Sequence, residues 1–318
     1  MSRAIMGVAA ISTALLALPG SVNAAAPELL MRIPGDQVTR GGGAGELNHP
    51  RGIAADAVTG HIFIAELNNH RVSEYTAWGL FVKAWGWGVA DGSQEFQICG
   101  PAVPEENPDP SLCQEGLPGD GKGQLDPFGV AIDPLGNIYV SEVENLRVQK
   151  FSPQGKFLVM FGGDVNRTKV EGGGSPEERN VCPIAPTDVC QGGTSGEGPS
   201  QLSGSVWDLI DYSPVGGGAI VVGDKDGIQV FDLDGTYRET ILFTGPLAAF
   251  AGRSVNALDV DGGGNIYVTL SGLEDIYKLS PTGAPLDPGE PGESSFRIPN
   301  PLAVAVDTEG KVFGVDAG

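Results

Sequence analysis

The groups in this sequence that could hold a metal ion are three histidines and several aspartate-rich turns. His49, His61 and His70 lie close together along the chain, without the H-E-x-x-H spacing of a zinc-binding helix. The turns Asp224–Gly227 and Asp259–Gly262 offer two carboxylates each, whereas calcium takes roughly six to eight oxygen ligands. We therefore expect hairpin turns there and no cofactor, with calcium as the alternative.

A glycine-rich stretch, Gly116–Lys122, has the G-x4-G-K pattern that begins a phosphate-binding loop. The next residue is Gly123, where such a loop needs Ser or Thr to bind magnesium, and no strand-to-helix pattern surrounds the stretch. Similar glycine-rich segments precede other parts of the chain, so we interpret it as a connecting turn. The sequence has no G-x-S-x-G motif of a serine hydrolase.

Four cysteines fall into two separate pairs along the chain. Cys99 and Cys113 lie in one segment, and Cys182 and Cys190 lie in another. Four cysteines allow three disulfide pairings, and we expect the local one because each segment holds two. Zinc is less favoured, since the spacings are not C-x2-C and no histidine lies near either pair.

The net charge of the chain is strongly negative. Lys and Arg total 19 against 40 Asp and Glu, which gives a formal charge of -21. Such a surface repels phosphate backbones and anionic lipid, so nucleic acid is excluded as a partner. We expect a protein or glycan ligand.

The first residues have the pattern of a secretory signal peptide. Arg3 is followed by the apolar run Ile5–Leu18, and Val22–Ala24 offers small residues for cleavage. The apolar run is shorter than the roughly 20 residues of a membrane-spanning helix. We predict a signal peptide at 1–24, a secreted, extracellular mature chain at 25–318, and no membrane insertion of that mature chain.

A repeated pattern of short β-branched and aromatic runs organises the rest of the chain. In the clearest copy, turns with Gly, Pro or Asn separate Pro127–Asp133, Ile138–Val140, Arg147–Phe151 and Phe157–Phe161. Antiparallel strands joined by hairpins have this signature. The copies begin at Pro50, Pro127, Val206, Ala257 and Pro301.

Four strands per copy predict an all-β fold, namely a β-propeller of four-stranded antiparallel blades. We expect an aspartate to end the first strand of each copy: Asp56, Asp133, Asp211, Asp261 and Asp307. The first two intervals between these aspartates are long because each holds a cysteine-bearing insertion, 87–123 or 164–199. Both insertions follow a fourth strand, so we expect them on the same face of the disc.

The copies resemble the NHL-repeat family, as found in secreted bacterial-type proteins. Residues 127–161 match the family pattern Pro-x-Gly-Ile/Val-Ala-Val-Asp, Gly-x-Ile/Leu-Tyr-Val and Asn-x-Arg-Val-Gln nearly throughout, and residues 45–86 match well. The resemblance implies a propeller of about six blades. Only four copies and half of a fifth are present. We therefore expect the chain to continue beyond Gly318, with Leu29–Ile33 completing the last blade.

Two equivalent arginines and one tryptophan are the predicted binding residues. Arg71 and Arg147 occupy the same position in two copies; for them, tying neighbouring loops through carbonyls or a carboxylate is favoured over ligand contact. Trp87 enters the first insertion and is the best candidate for an exposed contact. We predict a binding or interaction module and assign no catalytic residue. Lyases and lactonases of related architecture suggest the alternative of a metal-dependent enzyme, with a channel-mouth site near Glu66 and Glu142.

Overall fold

The structure, a computed structural model, describes residues 40–101, 112–203, 210–225, 227–286 and 295–316. The predicted signal peptide at 1–24 and the strand predicted at Leu29–Ile33 lie outside these ranges. None of the helices in the described ranges is long and apolar enough to cross a membrane.

The described residues form five antiparallel sheets. Sheet 1 contains β1 (Pro50–Ala55), β2 (Ile62–Glu66), β3 (Arg71–Tyr75), β4 (Phe81–Trp87) and β5 (Phe96–Cys99). Sheet 2 contains β6 (Gly129–Ile132), β7 (Ile138–Glu142), β8 (Arg147–Phe151), β9 (Phe157–Phe161) and β10 (Val181–Cys182). Sheet 3 contains β11 (Ile210–Ser213), β12 (Ala219–Asp224), β13 (Gly227–Phe231) and β14 (Tyr237–Leu242).

The last two sheets are smaller in their described parts. Sheet 4 contains β15 (Val255–Val260), β16 (Ile266–Leu270), β17 (Asp275–Leu279) and β18 (Ser295–Arg297), and sheet 5 contains β19 (Pro301–Val306) and β20 (Val312–Asp316). The α-helices are α1 (Arg167–Gly172) and α2 (Pro176–Arg179), and short 3-10 turns occur at Leu67–Asn69, Val215–Gly217 and Gly245–Phe250.

The sheets are arranged as the blades of a propeller. Their first strands, β1, β6, β11, β15 and β19, contact one another in that order and form an inner series. Within each sheet the other strands follow outward in chain order. This arrangement confirms the predicted all-β propeller of antiparallel blades.

Side chains packed between neighbouring sheets form the core. Trp85 and Phe63 of sheet 1 pack in one cluster with Phe151 of sheet 2. Phe161 of sheet 2 packs on Phe231 of sheet 3, with ring centroids 4.8 Å apart. Because each of these sheets is covered on both sides, β7 and β12 are buried at every position and lack the alternation of a half-exposed strand.

Aspartates at the ends of first strands build the predicted hairpin turns. Asp133 Oδ1 accepts the backbone N–H groups of Leu135 and Asn137, and its Oδ2 accepts from the Tyr139 hydroxyl. Asp261 accepts the equivalent bonds in sheet 4. An aspartate side chain that bonds the backbone two residues onward stabilises such a turn.

The placement of Asp211 among these turn aspartates is wrong. Asp211 pairs with Val221 inside β11, and Ser213 stands at the strand end. A slip of two residues along a strand returns each side chain to the same face of the sheet. The alternation of the third copy therefore gave no sign of the error.

The first two blades have five strands where four were predicted. β5 pairs with β4, and β10 pairs with β9, so both extra strands come from the cysteine-bearing insertions. The second insertion also contains α1 and α2. The edge strand of a blade has unpaired N–H and C=O groups, and each insertion folds back to bond them.

Candidate ligand-binding face

A buried ion pair lies where the second and third strands of sheet 1 meet. Arg71 Nε donates to Glu66 Oε1 at 2.9 Å, and neither side chain has exposed surface. The other guanidinium nitrogens donate to the carbonyl oxygens of Gly42, Gly43, Glu46 and Gln114. Arg71 therefore ties both the segment before β1 and the first insertion to the sheet.

The same arrangement recurs in sheet 2. Arg147 Nε donates to Glu142 Oε1 at 3.1 Å, again with no exposed surface on either side chain. Its other nitrogens donate to the carbonyl oxygens of Asp120, Gly121 and Gln124. Asp120 and Gly121 belong to the glycine-rich stretch Gly116–Lys122, which has the phosphate-loop pattern. It points carbonyl oxygens at a cation, whereas a phosphate loop points N–H groups at an anion.

Sheets 3 and 4 lack this ion pair. Asp224 replaces Glu142, but Gly227 stands where Arg147 stands in sheet 2. In sheet 4 the corresponding residues are Leu270 and Asp275. The arginine centre, meaning the buried Arg–Glu pair with its bonded carbonyl groups, is therefore present in the two blades that carry the cysteine-bearing insertions and absent from sheets 3 and 4.

The first insertion is closed by a disulfide and anchored at its base. The Cys99–Cys113 bond joins β5 to the returning chain, with Cα atoms 5.5 Å apart. Leu117 N–H donates to the carbonyl of Trp87 at 2.7 Å, so the insertion leaves and rejoins the blade at one point. Gly116 N–H donates to the carbonyl of Asn69, which lies in the loop between β2 and β3.

The second insertion has an equivalent anchor on the same face. Thr194 N–H donates to the carbonyl of Gly163 at 2.7 Å, and Gly193 N–H donates to the carbonyl of Asn145. Asn145 lies in the loop between β7 and β8, the counterpart of the β2–β3 loop. The second disulfide joins Cys182 and Cys190. Both disulfides have the predicted local pairing.

A buried polar network organises the second insertion. Asp188 Oδ2 accepts the N–H groups of Ile184 and Ala185 and the side-chain amide of Asn166. Hydrogen bonds to its carboxylate hold the pKa of Asp188 below its usual range, and the bond from the backbone N–H of Ala185 is the largest cause. Asn166 Oδ1 also accepts from Lys169 N–H and caps α1. The loop is therefore ordered by its own hydrogen bonds as well as by the disulfide.

The predicted binding residues differ in their access to solvent. Arg71 and Arg147 have no exposed surface, so neither guanidinium group is placed to contact a ligand directly. Trp87 is half-buried on β4, opposite Phe96 of β5. Trp78, by contrast, is 75% exposed in the turn after β3, and the sequence pattern did not single it out as an exposed contact.

The histidines and the two repeated glutamates are engaged in separate contacts. His61 Nδ1 lies 2.5 Å from Glu74 Oε1, and His70 Nδ1 lies 3.1 Å from the carbonyl of Leu125. Within the described ranges, no three His, Cys, Asp or Glu side chains form a group that could hold a metal ion. Glu66 and Glu142, named for the enzyme alternative, are both paired with arginine.

A carboxyl pair lies on the inner strands of sheets 3 and 4. Asp211 Oδ2 accepts the N–H of Val260 at 2.8 Å, and Asp259 Oδ2 accepts the N–H of Val306, so each carboxyl reaches the next blade. Burial raises the pKa of Asp211 well above its usual range, and the neighbouring, hydrogen-bonded carboxyl of Asp259 raises it further. The two carboxyl groups therefore interact across the boundary between sheets 3 and 4.

Comparison with known proteins identifies two of the repeats. The NHL-repeat family profile matches residues 47–75 and 125–151, which lie in the two blades that contain the arginine centre. A search of curated proteins by sequence found no match. A solved structure of virginiamycin B lyase from Staphylococcus aureus is similar, with 13% identity and a TM-score of 0.46 over 85% of this chain and 78% of the other. A nidogen–laminin complex has 15% identity and a TM-score of 0.44 over 84% of this chain and 72% of the other. Hydrazine synthase of Kuenenia stuttgartiensis has 14% identity and a TM-score of 0.42 over 84% of this chain and 56% of the other. At these identities and TM-scores the similarity carries no information on activity.

Proposed function

We propose that this NHL-repeat β-propeller protein is a secreted binding module that presents the insertions 87–123 and 164–199 to a protein or glycan partner. A propeller of NHL repeats is suited to binding or interaction in general, because packed blades form a rigid support for loops. We expect the module to need no cofactor.

The observation that carries the proposal is the doubled anchoring of the two insertions. Each is closed by a disulfide and anchored at its base by backbone hydrogen bonds, and the fully buried Arg71 and Arg147 also bond carbonyl groups of the first insertion. Loops ordered before binding lose less conformational entropy when a partner docks. Both insertions also meet the same face of neighbouring blades, so one partner could contact both.

Secretion is supported by the cysteines. Two disulfides join all four cysteines of the chain. Disulfides of this kind persist in oxidising compartments and are rare in the cytosol. The strong negative charge of the chain is compatible with a partner that has basic groups.

Shortened insertions test the proposal. Because Leu117 and Trp87 are hydrogen-bonded neighbours, residues 88–116 can be replaced by a short Gly-Asn-Gly turn; the Thr194–Gly163 bond allows the same for residues 164–193. The full chain is screened against a displayed random-peptide library and a glycan array. We expect the selected ligands to lose at least about tenfold in affinity on one shortened variant, with the far-UV β signal kept.

Two results would contradict this proposal. Ligands that bind both shortened variants as tightly as the full chain would exclude the insertions as the binding face. Stoichiometric calcium or zinc that survives dialysis of the full-length protein would instead favour the metal-dependent lyase-like or lactonase-like enzyme.

A further inference from the structure

A groove runs along the outer rim of the propeller, between Pro176–Ile184 of the second insertion and Leu233–Tyr237 of sheet 3. It consists of two cavities of about 490 Å³ and 540 Å³. Both cavities are lined by Glu177, Val181 and Thr236, so they are compartments of one site. We call this site the rim groove. Together the two cavities lie near the upper end of the range of about 300–1,000 Å³ that is typical of ligand sites.

The first compartment contains two buried polar atoms without a partner. Ser200 is 1% exposed and lines this compartment, yet its Oγ has no hydrogen-bond partner. Arg179 Nε, in the same lining, also has none, while the end of this guanidinium group pairs with Asp164. Buried polar atoms are nearly always bonded, so each of these atoms needs an explanation. Both can donate, and a ligand carbonyl oxygen would accept from them.

The second compartment combines aliphatic side chains with charged ones. Leu158 is 43% exposed and Ile184 is 51% exposed, and Leu233 lines the same space. Exposed aliphatic side chains that converge on a concave surface stabilise a bound complex by excluding water. This compartment fits an apolar side chain of the ligand.

Carboxylates outnumber cationic groups in the lining of the rim groove, where four carboxylates stand against Arg179 and Lys150. Asp164 is paired with Arg179, and Glu178 lies 3.5 Å from Lys169. Glu177 and Asp234 add two further carboxylates to the lining. A ligand with a basic group next to its apolar side chain would complement this distribution.

We propose that the rim groove binds an extended peptide segment of a partner protein, with an aliphatic side chain beside a basic one. The backbone carbonyl accepts from Arg179 Nε and Ser200 Oγ, the aliphatic side chain contacts Leu158 and Ile184, and the basic group lies near Glu177. A glycan fits less well, because sugar rings pack on exposed aromatic faces and Tyr237 is the one aromatic residue of this lining. This inference rests on the proposed binding function and narrows its partner to a peptide.

Two synthetic peptides test the inference on the full chain. One is acetyl-Gly-Lys-Leu-Lys-Leu-Gly amide, and its twin has Glu in place of both lysines. Binding is measured by fluorescence anisotropy or calorimetry. We expect the lysine peptide to bind at least about tenfold more tightly than its twin at low salt, since its charges complement the groove. The double variant Glu177→Gln/Asp234→Asn should bring the two affinities within about threefold of each other.

Matched variants assign the binding to the rim groove. Ile184→Ser should weaken the lysine peptide about five- to tenfold, because an apolar contact is lost. Val189→Ser is the control, since Val189 lies in the same insertion at 49% exposure but outside the groove. Ser200→Ala should weaken binding while leaving the thermal midpoint unchanged or higher, because it removes an unsatisfied buried hydroxyl.

Several outcomes would overturn the inference. These are no binding of either peptide, equal binding of the glutamate twin, equal losses in Ile184→Ser and Val189→Ser, or ligands found on the glycan array alone. Peptide binding that is lost with the first insertion but not with Ile184→Ser would refute the rim groove and keep the binding module. The absence of any ligand that depends on either insertion would refute both.

Discussion

The first two blades and the next two differ in the charged side chains that they hold and in the insertions that they carry. Sheets 1 and 2 bury an arginine–glutamate pair that collects carbonyl groups from nearby loops, and each carries an ordered insertion. Sheets 3 and 4 have Gly227 and Asp275 where the arginine stands and carry no cysteine-bearing insertion, and a carboxyl pair lies on their inner strands. A buried arginine is thus found in the two blades whose neighbouring segments include long insertions. The face that carries the two insertions therefore belongs to sheets 1 and 2.

Removing the arginine should give the largest effect. Arg147→Met leaves Glu142 buried and unpaired, and it also removes the donors to three carbonyl groups. We expect a loss of about 3–5 kcal/mol in the free energy of unfolding by urea. In sheet 3, Asp224→Asn should cost only about 1–3 kcal/mol, because Asp224 has hydrogen-bond partners but no arginine.

The double variant Arg147→Met/Glu142→Leu sharpens this prediction. If the buried charge is the cause, removing both charges should recover a large part of the loss. A double variant as unstable as Arg147→Met would instead show that the lost carbonyl contacts dominate. Equal losses for Arg147→Met and Asp224→Asn would erase the difference between the two halves.

Removing a disulfide should have the next largest effect on the free energy of unfolding. The sequence separations of the two bonds are 14 and 8 residues. Loop-closure entropy then predicts losses of about 3 kcal/mol for Cys99→Ser/Cys113→Ser and about 2.5 kcal/mol for Cys182→Ser/Cys190→Ser. Hydrogen exchange should show the loss of protection in the affected insertion first. A larger effect at the second bond would mean that the Asp188 network depends on it.

The same difference between halves explains what the sequence could predict. In the first two blades, the arginine follows the strand-ending aspartate by 15 and 14 residues, so strands and insertions could be placed. The third copy has Asp-Tyr-Ser at the strand end, and alternation alone cannot detect the two-residue slip of Asp211. The fifth strands and the rim groove depend on how an insertion folds against its own blade and the next one. Such long-range contacts leave no periodic signal in the sequence.

Acid should weaken the second insertion. The pKa of Asp188 is lower in the folded state than in the unfolded chain, where it is near 4. Its hydrogen bonds therefore contribute their full stability above about pH 4. This contribution is lost as the pH falls through the pKa of the folded state. We expect Asp188→Asn to behave at pH 7 as the wild type does at low pH, with faster hydrogen exchange in 164–193. Exchange in that segment that does not change between pH 7 and pH 3, after correction for intrinsic rates, would contradict this prediction.

The carboxyl pair in the second half should respond to pH with the opposite sign. The pKa of Asp211 is raised in the folded state, so its contribution is complete below about pH 4 and is lost as the pH rises through the folded value. Asp211→Asn keeps an acceptor for Val260 N–H and supplies a permanent donor to Asp259. We therefore expect this variant to be as stable as the wild type in acid and more stable at pH 8, by thermal unfolding.

The turn variant Asp307→Asn is the control and should show no such gain. If Asp211→Asn were less stable than the wild type at pH 8, the pair would be two ionised carboxylates held by backbone N–H groups, and the halves would not differ in how they bury charge.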